Sequence, residues 1–122
     1  MNEPTSIQAG TEFHNVAVTI TSGSAGPVVT YDPPSVQVTT HNAVICYQLA
    51  AGPEGFVFFG AKILPMAKHQ FNLGRITADG RMLTFEDINN IPKTTTYNMS
   101  LTLMDGKGET YTTDPQIINK PG

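Results

Sequence analysis

The sequence predicts an all-β fold, a sandwich of about seven to nine strands, and three observations predict it. Apolar and polar residues alternate at a period of two along Val16, Val18 and Ile20, along Ile45, Tyr47 and Leu49, and along Tyr97, Met99, Leu101 and Leu103. Turn-forming clusters separate such stretches at short intervals, among them Ser22-Gly23-Ser24-Ala25-Gly26-Pro27 and Ala51-Gly52-Pro53-Glu54-Gly55. No stretch carries the apolar spacing of an amphipathic helix.

The elements follow in order. Residues 1–12 are polar, contain Pro4 and Gly10, and read as an N-terminal arm; residues 13–122 form one domain. The first strand spans His14 to Thr21. A short apolar stretch, Val28 to Tyr31, ends at Asp32-Pro33-Pro34. Consecutive prolines cannot donate to a ladder, so they mark an edge or a crossing between sheets. Val36 and Val38 resume the alternation, Thr39-Thr40-His41-Asn42 turns the chain, and Ala43 to Ala50 is a strand with Ile45, Tyr47 and Leu49 on its inner face. Phe56 to Leu64, FVFFGAKIL, is the most apolar segment and reads as a central strand, closed by Pro65. Asp79-Gly80 is a hairpin signal between Phe71–Ile76 and Met82–Phe85. Residues 86–92 read as a crossing loop or a single helical turn. Thr95 to Met104 is the cleanest strand, and Asp105-Gly106-Lys107-Gly108 turns it back onto Glu109–Thr113. Asp114-Pro115 kinks the last strand before Ile117 and Ile118.

A chain of 122 residues suits one domain with one core, and 39 % hydrophobic residues are enough to fill it. Charged residues make up only 14 %, yet threonines interleaved with β-branched and aromatic residues favour a folded sheet over disorder. The net charge is −3 and the seven cationic residues are scattered. Nucleic acid and anionic membrane surfaces are therefore not expected partners. The single cysteine, Cys46, excludes an intrachain disulfide. The first residues have neither a basic nor an apolar signal region, so a cytoplasmic location is expected if Met1 is the native start.

Three resemblances rest on particular residues. The strand at 82–85, the loop with Asp87 and Ile88, and Tyr97 two residues before Met99 resemble the E–F corner and F strand of immunoglobulin-like domains. That likeness implies an immunoglobulin-like antiparallel sandwich, with Cys46 and Met99 near the positions of a B–F disulfide. YDPPSVQVTTHNAVICYQL, residues 31–49, is similar to the early strands of cupredoxin-like sandwiches; with no His after His69 and no Cys after Cys46, the copper site is not carried over. Tyr31-Asp32-Pro33-Pro34 together with Asp114-Pro115-Gln116-Ile117-Ile118-Asn119 resembles the DP-EP family, a group of uncharacterised bacterial proteins that brings no known activity.

No candidate chemistry outweighs its structural explanation. His14, His41, His69 and Cys46 show no metal-ligand spacing. Asp105, Glu109 and Asp114 surround the last hairpin but lack the carboxylate density of a dedicated calcium loop, and Asp105-Gly106 has a sufficient role in the turn, so calcium is not expected there. Ser24 lies in GSAG without a nucleophile elbow, and Cys46 sits inside a strand. Asp32, Glu54, Asp79, Glu86 and Asp87 all read as loop carboxylates, and nothing singles out two of them. Asn98-Met99-Ser100 matches a glycosylation sequon but lies within a strand. No catalytic, cofactor-binding or metal residue is assigned, and no cofactor is expected.

One surface feature remains. If Val57, Phe59, Ala61 and Ile63 face the core, then Phe56, Phe58 and Leu64 fall on the opposite face as a candidate interface, unless the 65–70 loop or the N-terminal arm covers them. The expectation is a non-enzymatic protein-binding or structural module, with a protein partner or self-association. The alternative is a small ligand-binding protein or hydrolase using loop carboxylates at one end of the sandwich.

Overall fold

A computed structural model describes residues 12–52, 55–65 and 70–121, and every regular element among them is a strand. The strands are β1 (Glu12–Gly23), β2 (Gly26–Asp32), β3 (Ser35–Val38), β4 (Ala43–Ala51), β5 (Val57–Leu64), β6 (Phe71–Ile76), β7 (Met82–Asp87), β8 (Thr95–Met104), β9 (Thr110–Thr113) and β10 (Gln116–Asn119). They form two sheets. The first, sheet A, has the order β2-β1-β4-β7-β6; the second, sheet B, has β3-β10-β8-β5, with β9 also beside β8. The expected arm lies outside the described residues up to position 11, and Glu12 already belongs to β1.

Alternation builds the core. Val16, Val18 and Ile20 from β1, Ile45, Tyr47 and Leu49 from β4, and Leu83 and Phe85 from β7 face inward from sheet A. Val36 and Val38, Phe58 and Ile63, Tyr97 to Leu103 at every second position, and Ile117 answer from sheet B. Aromatic contacts run between and within the layers: Phe71 of sheet A meets Tyr97 of sheet B edge-on at 4.9 Å between centroids, while within sheet A Tyr47 stacks on Phe85 at 6.0 Å. Each such side chain, fully buried, contributes about 1.5–3 kcal/mol, so β8 alone brings four large contributions along one face.

Among the described residues ten strands are formed where about seven to nine were expected, and the prolines account for the surplus. β9 and β10 keep one continuous register on β8, from Leu101↔Thr113 to Tyr97↔Ile117. Pro115 has no N–H to give between them, although its carbonyl accepts from the Met99 N–H at 2.8 Å. Pro33-Pro34 likewise separates β2, at the edge of sheet A, from β3 in sheet B, which is the expected crossing.

The antiparallel expectation needs a correction. β1 pairs with β4 and β3 with β10 in parallel, and the other six pairings are antiparallel. The reason is that β2 returns along the outer side of β1 and β3 then leaves for sheet B. β4 therefore re-enters sheet A alongside β1 in the same direction, the long connection that a parallel pair requires.

A bulge at Leu73/Arg75 presses β6 onto β7. A Cβ on Gly74 would lie 2.0 Å from the Thr84 carbonyl oxygen, whereas one on Gly60 would meet nothing within 4 Å. Gly74→Ala is expected to lower stability by about 1–3 kcal/mol, because the obstacle is backbone and cannot rotate away. Gly60→Ala is the matched control. Urea midpoints that move equally for the two variants would contradict this reading.

Candidate functional site

The candidate interface changes composition in three dimensions. Phe56 and Phe58 are 5 % and 3 % exposed and belong to the core, while Phe59 is 59 % and Leu64 40 % exposed. The cause is a bulge. Phe58 opposes Leu103 and Gly60 opposes Thr102, so Phe59 is an extra residue that reverses the inward parity. Before it, positions 56 and 58 point in; after it, Ala61 packs on the core and Ile63 is buried. β5 is also an edge strand and not the expected central one. On the outer face of sheet A, Phe13 is 72 % exposed beside half-buried Val44, its partner across the β1–β4 pair.

The other sequence candidates stay apart. Cys46 is a half-buried free thiol on the outer face of β4, and Met99 is fully buried in sheet B, so they do not stand as a disulfide pair would. His41 is exposed in the β3–β4 turn, and His69 and Glu54 lie outside the described residues. Among the described residues no three His, Cys, Asp or Glu side chains converge. Asp105 does serve its hairpin: Oδ1 accepts from the Lys107 and Glu109 N–H groups, and Oδ2 from the Tyr111 hydroxyl. Asp79 binds the Thr77 hydroxyl and the Arg81 N–H around the Gly80 turn. Asp32 and Glu86 are exposed. A shallow depression of about 470 Å³ opens on the outer face of sheet A between Asn72, Arg75, Thr84 and Glu86.

The densest polar chemistry is at one end of the sandwich. One row of sheet A carries Glu12, Ala43, Asp87 and Phe71 across four strands. Glu12 and His14 share the inward parity of Val16, and Asp87 that of Phe85, so their side chains extend the core face into its polar end. Glu12 Oε1 accepts from the backbone N–H and hydroxyl of both Thr39 and Thr40, at 2.6 to 3.2 Å, and Oε2 lies 3.0 Å from His14 Nε2. Burial pushes the Glu12 carboxyl up, but those hydrogen bonds together bring it below the usual value.

Asp87 is fully buried. Its Oδ1 accepts from Asn119 Nδ2 at 2.8 Å and from the Asn89 N–H at 3.1 Å. Burial pushes its carboxyl up to about 6, against those two hydrogen bonds, and repulsion from Glu12 adds to the rise. Asn89 Nδ2 donates to the carbonyls of Lys120, Thr40 and Val38 at 2.7, 3.1 and 3.5 Å. This asparagine ties the loop after β7 to the β3–β4 turn and the end of β10. Tyr97, which the sequence places at an immunoglobulin-like corner, instead packs its ring on Phe71. Asn89 carries a positive φ of 51°, a conformation that asparagine tolerates better than most residues. Asp87 was visible in the sequence only as a loop carboxylate; Glu12, Asn89 and Asn119 carried no signal, because the register of distant strands gathers them.

The two Asp-Pro steps also meet. Tyr31, just before Asp32-Pro33, shares a hydrogen bond between its hydroxyl and that of Thr113, just before Asp114-Pro115. Burial pushes the Tyr31 hydroxyl up, the Thr113 contact opposes it, and the Asp114 charge adds to the rise. This contact latches the edge of sheet A to sheet B beside both prolines.

Fold and site together define a two-sheet, all-β sandwich whose halves are latched at paired Asp-Pro steps and closed by a polar cluster. A family model described as the DP-EP family matches residues 12–121, nearly the whole chain, and the chain belongs to that family. No curated protein matches it. Nor is any helix of the described residues long and apolar enough to cross a membrane.

Proposed function

We propose that this DP-EP protein is a non-enzymatic module that binds another protein chain along the outer side of β5. The observation that carries the reading is the exposure of Phe59 and Leu64 on a strand at the edge of sheet B. Large apolar groups held in water along an edge strand favour association, and the strand is anchored beside them by the Phe58 N–H, which donates to the Gly80 carbonyl at 2.7 Å. The bulge supports the same reading, since it turns a phenylalanine outward from an otherwise buried run. The carboxylate alternative has less support: Asp87 is sealed from solvent, and Asp32, Asp79 and Glu86 are spread over separate loops and strands.

The test is a photo-crosslinking residue placed at position 59 and, as a control, at exposed Thr30 on β2. A discrete adduct from position 59 alone is expected, lost when Leu64→Ser is added. Equal labelling at 59 and 30, or adducts indifferent to Leu64→Ser, would refute the assignment of this surface.

A further inference from the structure

Three oxygens at the polar end of the sandwich are buried without a hydrogen-bond donor: Asp87 Oδ2, Asn89 Oδ1 and Asn119 Oδ1. Their residues are 0 %, 1 % and 2 % exposed. A buried polar atom left unmet costs about 1–3 kcal/mol, and more when charged. The three belong to one knot, because Asn119 Nδ2 and the Asn89 N–H both bind Asp87 Oδ1. The amide donors are already committed: Asn89 Nδ2 to three main-chain carbonyls and Asn119 Nδ2 to Asp87. Those bonds fix which end of each amide is the oxygen. The deficit is therefore of one kind, with oxygens that lack positive charge opposite them.

We infer that Asp87, Asn89 and Asn119 form a buried calcium site, with Asp87 Oδ2 and the two asparagine Oδ1 atoms as ligands. One carboxylate and two amide oxygens make a hard, all-oxygen set, which suits calcium over metals that prefer nitrogen and sulfur. Magnesium keeps several waters, whereas calcium accepts carbonyls in variable number. The carbonyls of Val38, Thr40 and Lys120 hold Asn89 Nδ2, the opposite end of that amide, and so fix the direction in which Oδ1 points. An ion there joins the end of β7, the loop that follows, the β3–β4 turn and β10.

Full-length protein stripped with chelator and titrated with CaCl₂ is expected to bind one ion per chain by calorimetry. Its melting temperature should climb with the logarithm of calcium concentration. Asp87→Asn, close in shape, abolishes binding while the circular dichroism spectrum stays that of the parent. Asn119→Asp supplies a second charge and tightens the dissociation constant about tenfold. A purely structural knot behaves otherwise, for the added charge would then lower the melting temperature equally in calcium and in chelator. No heat and no melting shift at about 10 mM CaCl₂, beyond the weakest protein calcium sites, overturns the proposal. An equal shift from MgCl₂ at matched ionic strength overturns it as well.

Discussion

Phe85→Ala is expected to remove about 3–5 kcal/mol of folding stability, the largest loss any single truncation should produce here. Phe85 is 1 % exposed on the inner face of sheet A, on β7 between β4 and β6. Its ring stacks on Tyr47 at 6.0 Å between centroids and tilts against Phe71 at 6.1 Å, which in turn meets Tyr97 edge-on in the other sheet. With Tyr31 edge-on to Tyr47 at 5.9 Å, truncation removes the middle ring of a chain of five. The strand backbones on both sides are held by ladders and cannot close the space. Domains of this size have about 5–15 kcal/mol in total, so the variant should melt far below the parent. Phe13→Ala is the internal control: at 72 % exposure it should move stability by no more than about 0.5 kcal/mol. Urea curves that place the two variants together would mean that the aromatic chain is not what holds the layers.

Asp87→Asn should act in the opposite direction, strengthening the fold at neutral pH in protein stripped of divalent ions. The Asp87 carboxyl titrates at about 6 in the folded chain against an ordinary value of 3.8. The folded state thus holds this proton more tightly than the unfolded state does. The stabilising contribution of the group is complete below pH 3.8 and is lost as pH rises through 6. Two units correspond to about 3 kcal/mol, the cost of burying the charge. Asparagine keeps the shape, accepts the same two hydrogen bonds, and carries N–H donors where Oδ2 has no partner. The variant should be about 3 kcal/mol more stable than the parent at pH 8 in chelator, with the gap closing toward pH 4. Denaturation midpoints across that range decide it, and a variant less stable at pH 8 would show that the charge is compensated in place.

These expectations show which parts of the molecule its sequence discloses. Strands β1, β4 and β8 could be read directly, down to the inner face, because Val16 to Ile20, Ile45 to Leu49 and Tyr97 to Leu103 keep an unbroken period of two. β5 could not. A period of two carries no information across an added residue, and the bulge at Phe59 exchanged Phe56 and Phe58 for Phe59 on the outer surface. Parallel pairing escaped for another reason: nothing local to Ala43 or Gln116 indicates that its neighbour lies many residues upstream. The polar knot is the extreme case. Asp87, Asn89 and Asn119 each have an ordinary explanation as turn or strand-end residues, and only the pairing of β7 and β10 within their sheets makes them a cluster.

The pairing of β3 with β10 fixes an order of events. Among the described residues Ser35–Val38 has no neighbour in sheet B other than Gln116–Asn119, so its ladder waits for a segment synthesised about eighty residues later. On the ribosome, Val36 and Val38 emerge well before their strand partner and wait for it while the strands in between are made. The hydrophobic seam along that margin is sewn shut last, when Ile117 arrives between β3 and β8.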